Sequence, residues 1–109
     1  MHTMKEIIKL IESSDEGIIR IWNFHSGELI KKSQVIDDII FSICLWNKDY
    51  LFVGCNNKTI GLVNINDGTI YKTLSGHKGQ VTTIKKIIHR KYGECLISFG
   101  GDIILWTKE

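Results

Sequence analysis

The side chains able to hold a metal or move a proton are few and scattered. His25, His77, His89 and Cys95 follow one another at spacings of 52, 12 and 6 residues. These intervals do not match the short ligand pairs of a zinc site, which put two donors on one turn or strand. His89 and Cys95 could pair as imidazole and thiol. No third group or oxyanion loop accompanies them to orient the base and receive developing charge. Gly100-Gly101 lacks the length and the Lys-Ser/Thr of a phosphate loop. The expectation is a non-enzyme with no catalytic residue, no metal ligand and no cofactor.

Charge offers a different chemistry. The run Lys85-Lys86-Ile87-Ile88-His89-Arg90-Lys91 gathers four permanent cations in seven residues. Such a run attracts phosphates or an acidic protein, although a solvated strand end is the plainer reading. Read as a strand, it points Lys85, Ile87 and His89 one way and Lys86, Ile88 and Arg90 the other. Trp46-Asn47-Lys48 occupies the corresponding turn of the preceding stretch, which would set an aromatic ring beside the run. Trp46, Lys48, Lys78 and Arg90, which fall in or beside expected turns, and Lys86 of the basic run are the candidate partner-binding residues. The whole chain carries a formal charge of only +2, with a pI near 8.4. That permits an acidic partner but argues against a dedicated nucleic-acid module, which is usually more basic.

The elements that position these residues follow from composition and repetition. A chain of 109 residues, 43% hydrophobic and 24% charged, is one packed domain. No apolar run approaches the ~18 residues of a membrane span. At the N-terminus Lys5, Glu6, Lys9 and Glu12 interrupt any secretory core. The expected setting is intracellular and cytoplasmic, with the nucleus as the alternative. Cys44, Cys55 and Cys95 sit in apolar stretches without a CxxC pair, as buried reduced thiols would.

An outline at Ser13–Ile30 returns at Gly54–Tyr71, 41 residues later and without a gap. At that offset Leu10 meets Leu51, Ile19 meets Ile60, Asn23 meets Asn64 and Gly27 meets Gly68. With two more residues allowed, Ile60 and Leu62 meet Ile103 and Leu105, and Trp22 and Trp106 fall on the slot of Val63. The grammar within each copy is β: short alternating runs rich in branched and aromatic residues, bracketed by Gly, Asn and Asp. Asp15-Glu16-Gly17, His25-Ser26-Gly27, Asn56-Asn57-Lys58 and Asn66-Asp67-Gly68 are the brackets. Ten strands are expected, near 6–13, 18–24, 28–33, 38–45, 50–55, 59–65, 69–74, 81–88, 94–98 and 102–107. They divide into units at about 5–34, 35–75 and 76–109, and no helix is expected.

DEGIIRIWN (Asp15–Asn23), NKTIGLVNINDGTI (Asn57–Ile70), LSGHKGQVTTI (Leu74–Ile84) and LISFGGDIILWT (Leu96–Thr107) resemble the WD-repeat family of β-propellers. Gly76-His77 and Trp106 are spaced like the family's Gly-His and Trp-Asp, with Thr107 at the Asp. The resemblance implies an all-β fold of antiparallel four-stranded blades, here about two and a half of them. It also implies a structural hydrogen-bonded set in the third unit: His77, Ser98 and Trp106, with an acid. The family's acid lies six residues before the Trp, where this chain has Gly100; Asp102 lies four before. Trp22 takes the Trp position of the first unit. Glu16 and Asn57 hold the acid slot of the first two units, and Val35-Ile36 stand where Gly-His would be, so weaker blades than usual are expected.

Family members mostly assemble complexes, which implies a non-catalytic protein-interaction scaffold. A propeller closes with four to eight blades, more than this chain supplies. Three readings remain open. The chain is the C-terminal portion of a larger propeller, ending at Lys108-Glu109; or copies assemble into one ring; or it is a degenerate fragment. Nucleic-acid or phosphoinositide binding through residues 85–91 is the alternative function.

Overall fold

A computed structural model of the protein describes residues 9–108. Among the described residues there are ten β-strands and no helix. β1 (Lys9–Ser13), β2 (Ile18–Asn23) and β3 (Leu29–Gln34) form the first sheet. β4 (Ile40–Leu45), β5 (Tyr50–Cys55), β6 (Ile60–Asn64) and β7 (Thr69–Leu74) form the second. β8 (Thr83–His89), β9 (Gly93–Phe99) and β10 (Ile103–Trp106) form the third. All pairing is antiparallel between neighbours in sequence. The ten expected strands are thus present in order; positions 6–8 of the first lie outside the described residues.

The 41-residue repeat reappears as geometry. The ladder of β2 with β3 shifts register between Ile21 and Trp22, and that of β6 with β7 shifts between Leu62 and Val63, the equivalent step. Asn23 and Asn64 build the turn that follows. Each main-chain oxygen accepts from a left-handed glycine, Gly27 or Gly68, and each side-chain oxygen accepts from the amide two residues on. Between sheets, Ile40 N donates to Ser14 O at 3.4 Å and Val81 N donates to Cys55 O at 3.1 Å, again 41 residues apart. The left-handed residue of the Asn56–Thr59 turn is Lys58, φ 71°, while Asn57 caps the Thr59 amide with its side-chain oxygen.

Side-chain alternation gives each sheet two faces. Ile11, Ile19 and Ile21 of the first sheet pack against Leu51, Val53 and Val63 of the second. On the far side of the second sheet, Phe52, Ile60 and Leu74 pack against Ile84, Leu96 and Trp106 of the third. Residues in equal register to these lie on the two outer surfaces. Leu10 and Trp22 of the first sheet match Leu51 and Val63; Ile97, Ile103 and Leu105 of the third match Phe52, Ile60 and Leu62. No described residue covers the outer pair of faces, so Leu10 is 54% and Ile103 is 66% exposed, whereas Leu51 and Ile60 are 1% and 0%.

Gly17 ties the first junction. A side chain there would collide with the main-chain oxygen of Ile36, and its φ of 78° suits glycine. Its own carbonyl accepts from Val35 N at 3.0 Å.

Position within the stack should set the cost of truncation. Leu51→Ala is expected to lower stability by about 2–5 kcal/mol, as for a fully packed leucine. Ile103→Ala should cost less than about 1 kcal/mol in the unassociated chain. Urea titrations of both variants check this; equal costs would contradict the burial difference.

Candidate functional site

The third sheet carries a buried polar chain. Immediately after Gly76 the backbone enters the loop leading to β8, and His77 turns inward, 7% exposed. Its Nδ1 is 2.6 Å from Asp102 Oδ1 and its Nε2 is 2.5 Å from Ser98 Oγ. Trp106 Nε1–H donates to the same Ser98 oxygen at 2.8 Å. A carboxylate only accepts, so the network places the ring proton on Nδ1. Nε2 then accepts the Ser98 hydroxyl, whose oxygen is left to receive the indole. Every buried side-chain nitrogen and oxygen among the described residues has a partner.

Ser98, His77 and Asp102 have the order of an acyl-transfer triad, nucleophile to base to acid. Ser98 is 0% exposed, and its oxygen is held by the indole. A carbonyl substrate cannot reach it, so this arrangement is built to satisfy buried groups.

The acid sits four residues before Trp106 because of Gly100. A Cβ at Gly100 would stand 2.9 Å from the His77 ring and 3.0 Å from Gly79 O. Gly79 N donates to Gly100 O at 2.8 Å, closing the loop against the turn. Asp102, two residues on, reaches the ring instead. Its hydrogen bond to His77 holds its carboxyl below the usual carboxylate range.

The other sheets fill the same positions differently. In the first, Glu12 stands at the Ser98 position by register, and Trp22 Nε1–H donates to Glu12 Oε1 at 3.1 Å. Glu16, in the expected acid slot, lies exposed in the Ser14–Gly17 turn. In the second sheet Val53 and Val63 take the Ser and Trp positions, 0% and 2% exposed, with Ile36 packed beside them.

The candidate partner-binding residues divide. Trp46 and Lys86 meet: Lys86 Nζ lies 4.7 Å from the centroid of the Trp46 ring, donates to Trp46 O at 2.9 Å and pairs with Glu94 at 2.7 Å. Hydrogen bonding and attraction from Lys86 hold the Glu94 carboxyl below its ordinary range. Two of the four cations of the basic run are therefore engaged within the molecule, since Lys91 Nζ also lies 5.3 Å from the centroid of the Tyr92 ring. Arg90 is exposed in the β8–β9 turn, where His89 Nδ1 accepts from Lys91 N at 3.0 Å. Lys48 and Lys78 are exposed in separate loops. Ile88, beside these cations, is 84% exposed.

Trp46 also forms one wall of a groove of about 380 Å³ between the second and third sheets, with Phe52, Leu74 and Trp106. Lys72, Lys108 and Glu94 border it. Sequence reasoning missed the contributions of β7 and of Lys108, since no local pattern signals a contact across sheets. Among the described residues no three possible metal ligands stand together. Cys55 and Cys95 are buried, whereas Cys44 is half-buried; burial pushes the Cys44 and Cys55 thiols up.

Ser98→Ala should cost about 1–3 kcal/mol by leaving His77 Nε2 and the Trp106 indole unpaired. Copying the middle sheet with His77→Ile, Ser98→Val and Trp106→Val together should cost less than the three single changes summed. The depressed Asp102 carboxyl stabilises the fold at pH above the ordinary carboxylate pKa of about 3.9. That contribution should be lost as pH falls through the lower folded value, and Asp102→Asn should remove the dependence. Denaturant midpoints measured against pH check both statements.

No family model matches the sequence. Over 74 residues, 68% of the chain, the sequence is 30% identical to the U3 small nucleolar RNA-associated protein 21 homolog of Schizosaccharomyces pombe. The chain spans 8% of that protein's length. In fold it is similar to the WD40 β-propeller domain of Doa1, with a TM-score of 0.79 and 23% identity over 92% of this chain and 33% of that one. It is also similar to U3-55K, with a TM-score of 0.73 and 17% identity over 91% of this chain and 30% of that one. For the WD40 repeats of RRP9 the TM-score is 0.72 and the identity 18%, over 90% and 30% of the two chains. The stacked sheets, their repeated junctions and these likenesses agree: the protein has the fold of a WD-repeat β-propeller, as three adjoining blades short of a ring.

Proposed function

We propose that the chain serves as a non-catalytic protein-interaction scaffold whose first contacts are those that complete its stack of blades. The observation that carries this reading is the pair of outer faces. Leu10 and Trp22 on one, and Ile97, Ile103 and Leu105 on the other, stand in register with residues that are packed at the two inner junctions. Apolar sheet faces left in water favour association. Proteins of this fold generally hold other proteins, which supports the same reading.

Two sources can cover these faces: further blades of a longer polypeptide, or a second copy. Three sheets per chain make six with two copies and nine with three. Only six falls within the four to eight blades at which propellers close, so self-completion favours a dimer. The fission yeast relative carries an RNA association in its name, which makes a nuclear ribonucleoprotein assembly the favoured setting, entered through protein contacts.

Light scattering on the purified chain tests the scaffold reading. Association is expected, as a defined dimer for self-completion or as soluble aggregates when further blades are required. A monomer that unfolds cooperatively would contradict it. Steeply salt-dependent RNA binding abolished by Lys86→Glu with Arg90→Glu would instead support direct nucleic-acid recognition.

A further inference from the structure

The groove beside Trp46, at the second inner junction, combines features that the first junction and the outer faces lack. Its floor is apolar, from Phe52, Leu62, Leu74 and Leu96, and two indoles, Trp46 and Trp106, flank it. Trp46 stands edge to face with Phe52, ring centroids 5.6 Å apart and planes at 84°. Three ammonium groups surround this floor. Lys86 lies over the Trp46 ring at 4.7 Å, Lys108 approaches the same ring at 5.9 Å, and Lys72 lines the opposite bank. Among the described residues the single acid lining the groove, Glu94, is already paired with Lys86 at 2.7 Å. Among the described residues, three cations stand against one engaged carboxylate, an excess of positive charge.

This arrangement selects an occupant by chemistry. A cationic ligand would meet an indole face already carrying Lys86 and approached by Lys108. A bare polyanion would find the charges but leave the apolar floor in water. A short peptide segment with bulky apolar side chains flanked by carboxylates satisfies both. About 380 Å³ lies at the small end of the range for ligand sites, which suits one or two side chains and not a folded domain.

We propose that this groove binds an acidic, apolar peptide segment of a partner protein, with its apolar side chains between Trp46 and Trp106 and its carboxylates on Lys72 and Lys108. The inference rests on the scaffold reading and names a partner class for it. Carboxylates at the rim orient the segment and speed encounter. The indoles supply the buried anchors that dominate such interfaces.

Fluorescence anisotropy on the full chain tests the assignment. The probe is a fluorescein-labelled peptide, Gly-Asp-Glu-Leu-Phe-Asp-Leu-Glu-Gly. Its controls are a version with Lys at each acid, a version with Ser at each Leu and Phe, and a labelled single-stranded RNA. Saturable binding of the first peptide alone is expected. Lys72→Glu with Lys108→Glu should weaken it at least about tenfold, since each reversal removes an ion pair and adds repulsion. Trp46→Ala should weaken it by a similar factor or more, whereas Lys32→Glu on the first sheet should leave it unchanged. Circular dichroism and urea midpoints confirm that the variants fold. Equal binding of the acidic and Lys peptides, preference for RNA, or insensitivity to the Lys72 and Lys108 reversals would overturn the proposal. So would no peptide binding with a dimer dissociated by those reversals, which would assign the groove to a second copy. Light-scattering association that persists while peptide binding fails would sink this inference and leave the scaffold reading standing.

Discussion

A β-sheet apolar on both faces must be covered from both sides, and the architecture of this protein follows from how that requirement is met. The middle sheet meets it fully. Leu51, Val53 and Val63 receive Ile19 and Ile21 from one neighbour, and Phe52 and Ile60 receive Ile84 and Leu96 from the other. The flanking sheets meet it once each, and no described residue covers their second faces. Because equivalent residues face equivalent directions in every sheet, one docking solution serves each junction. The main-chain bonds from Ile40 to Ser14 and from Val81 to Cys55 mark its repetition.

Within that frame the three sheets solve the interior differently. The third uses the chain Asp102–His77–Ser98–Trp106, in which each buried donor finds an acceptor. The second replaces the serine and indole positions with valines. Such exchange is neutral or favourable when every polar member leaves together, and costly when one stays behind. The first retains an indole with Glu12 as acceptor, near water at an open face. The sequence alone implies weaker blades from the missing motif residues. Apolar replacement offers a second way to fill the same space, so a missing Gly-His is not by itself a missing contribution to stability.

Much of the fold was legible because turn and packing constraints recur at fixed spacing. Gly27 with Gly68, Asn23 with Asn64 and the aligned isoleucines are each demanded locally, so they survive as a visible period. The position of the acid was not legible from spacing. It depends on Gly100 lying against the His77 ring, which only the folded turn reveals. Lys58 in a left-handed conformation was equally hidden, since Asn56 and Asn57 beside it suit that role better by type. The nearness of Trp46 to Lys86 could be anticipated from the repeat. Their shared carbonyl, ring and carboxylate contacts, and the third-bank Lys72, required the sheets to be stacked.

Function follows from what the stack leaves open and what it has already used. Ser98 is sealed in the interior, Lys86 is committed to Trp46 and Glu94, and the outer faces and the inter-sheet groove remain available to other chains. Amide hydrogen exchange resolved along the chain tests the central claim most directly. Graded protection is predicted, slowest in β5 and β6 and faster outward to β1 and β10, as expected for a stack covered on both sides only at its middle. Protection in β1 and β10 equal to that in β5, at a dilution at which associated copies have separated, would contradict it.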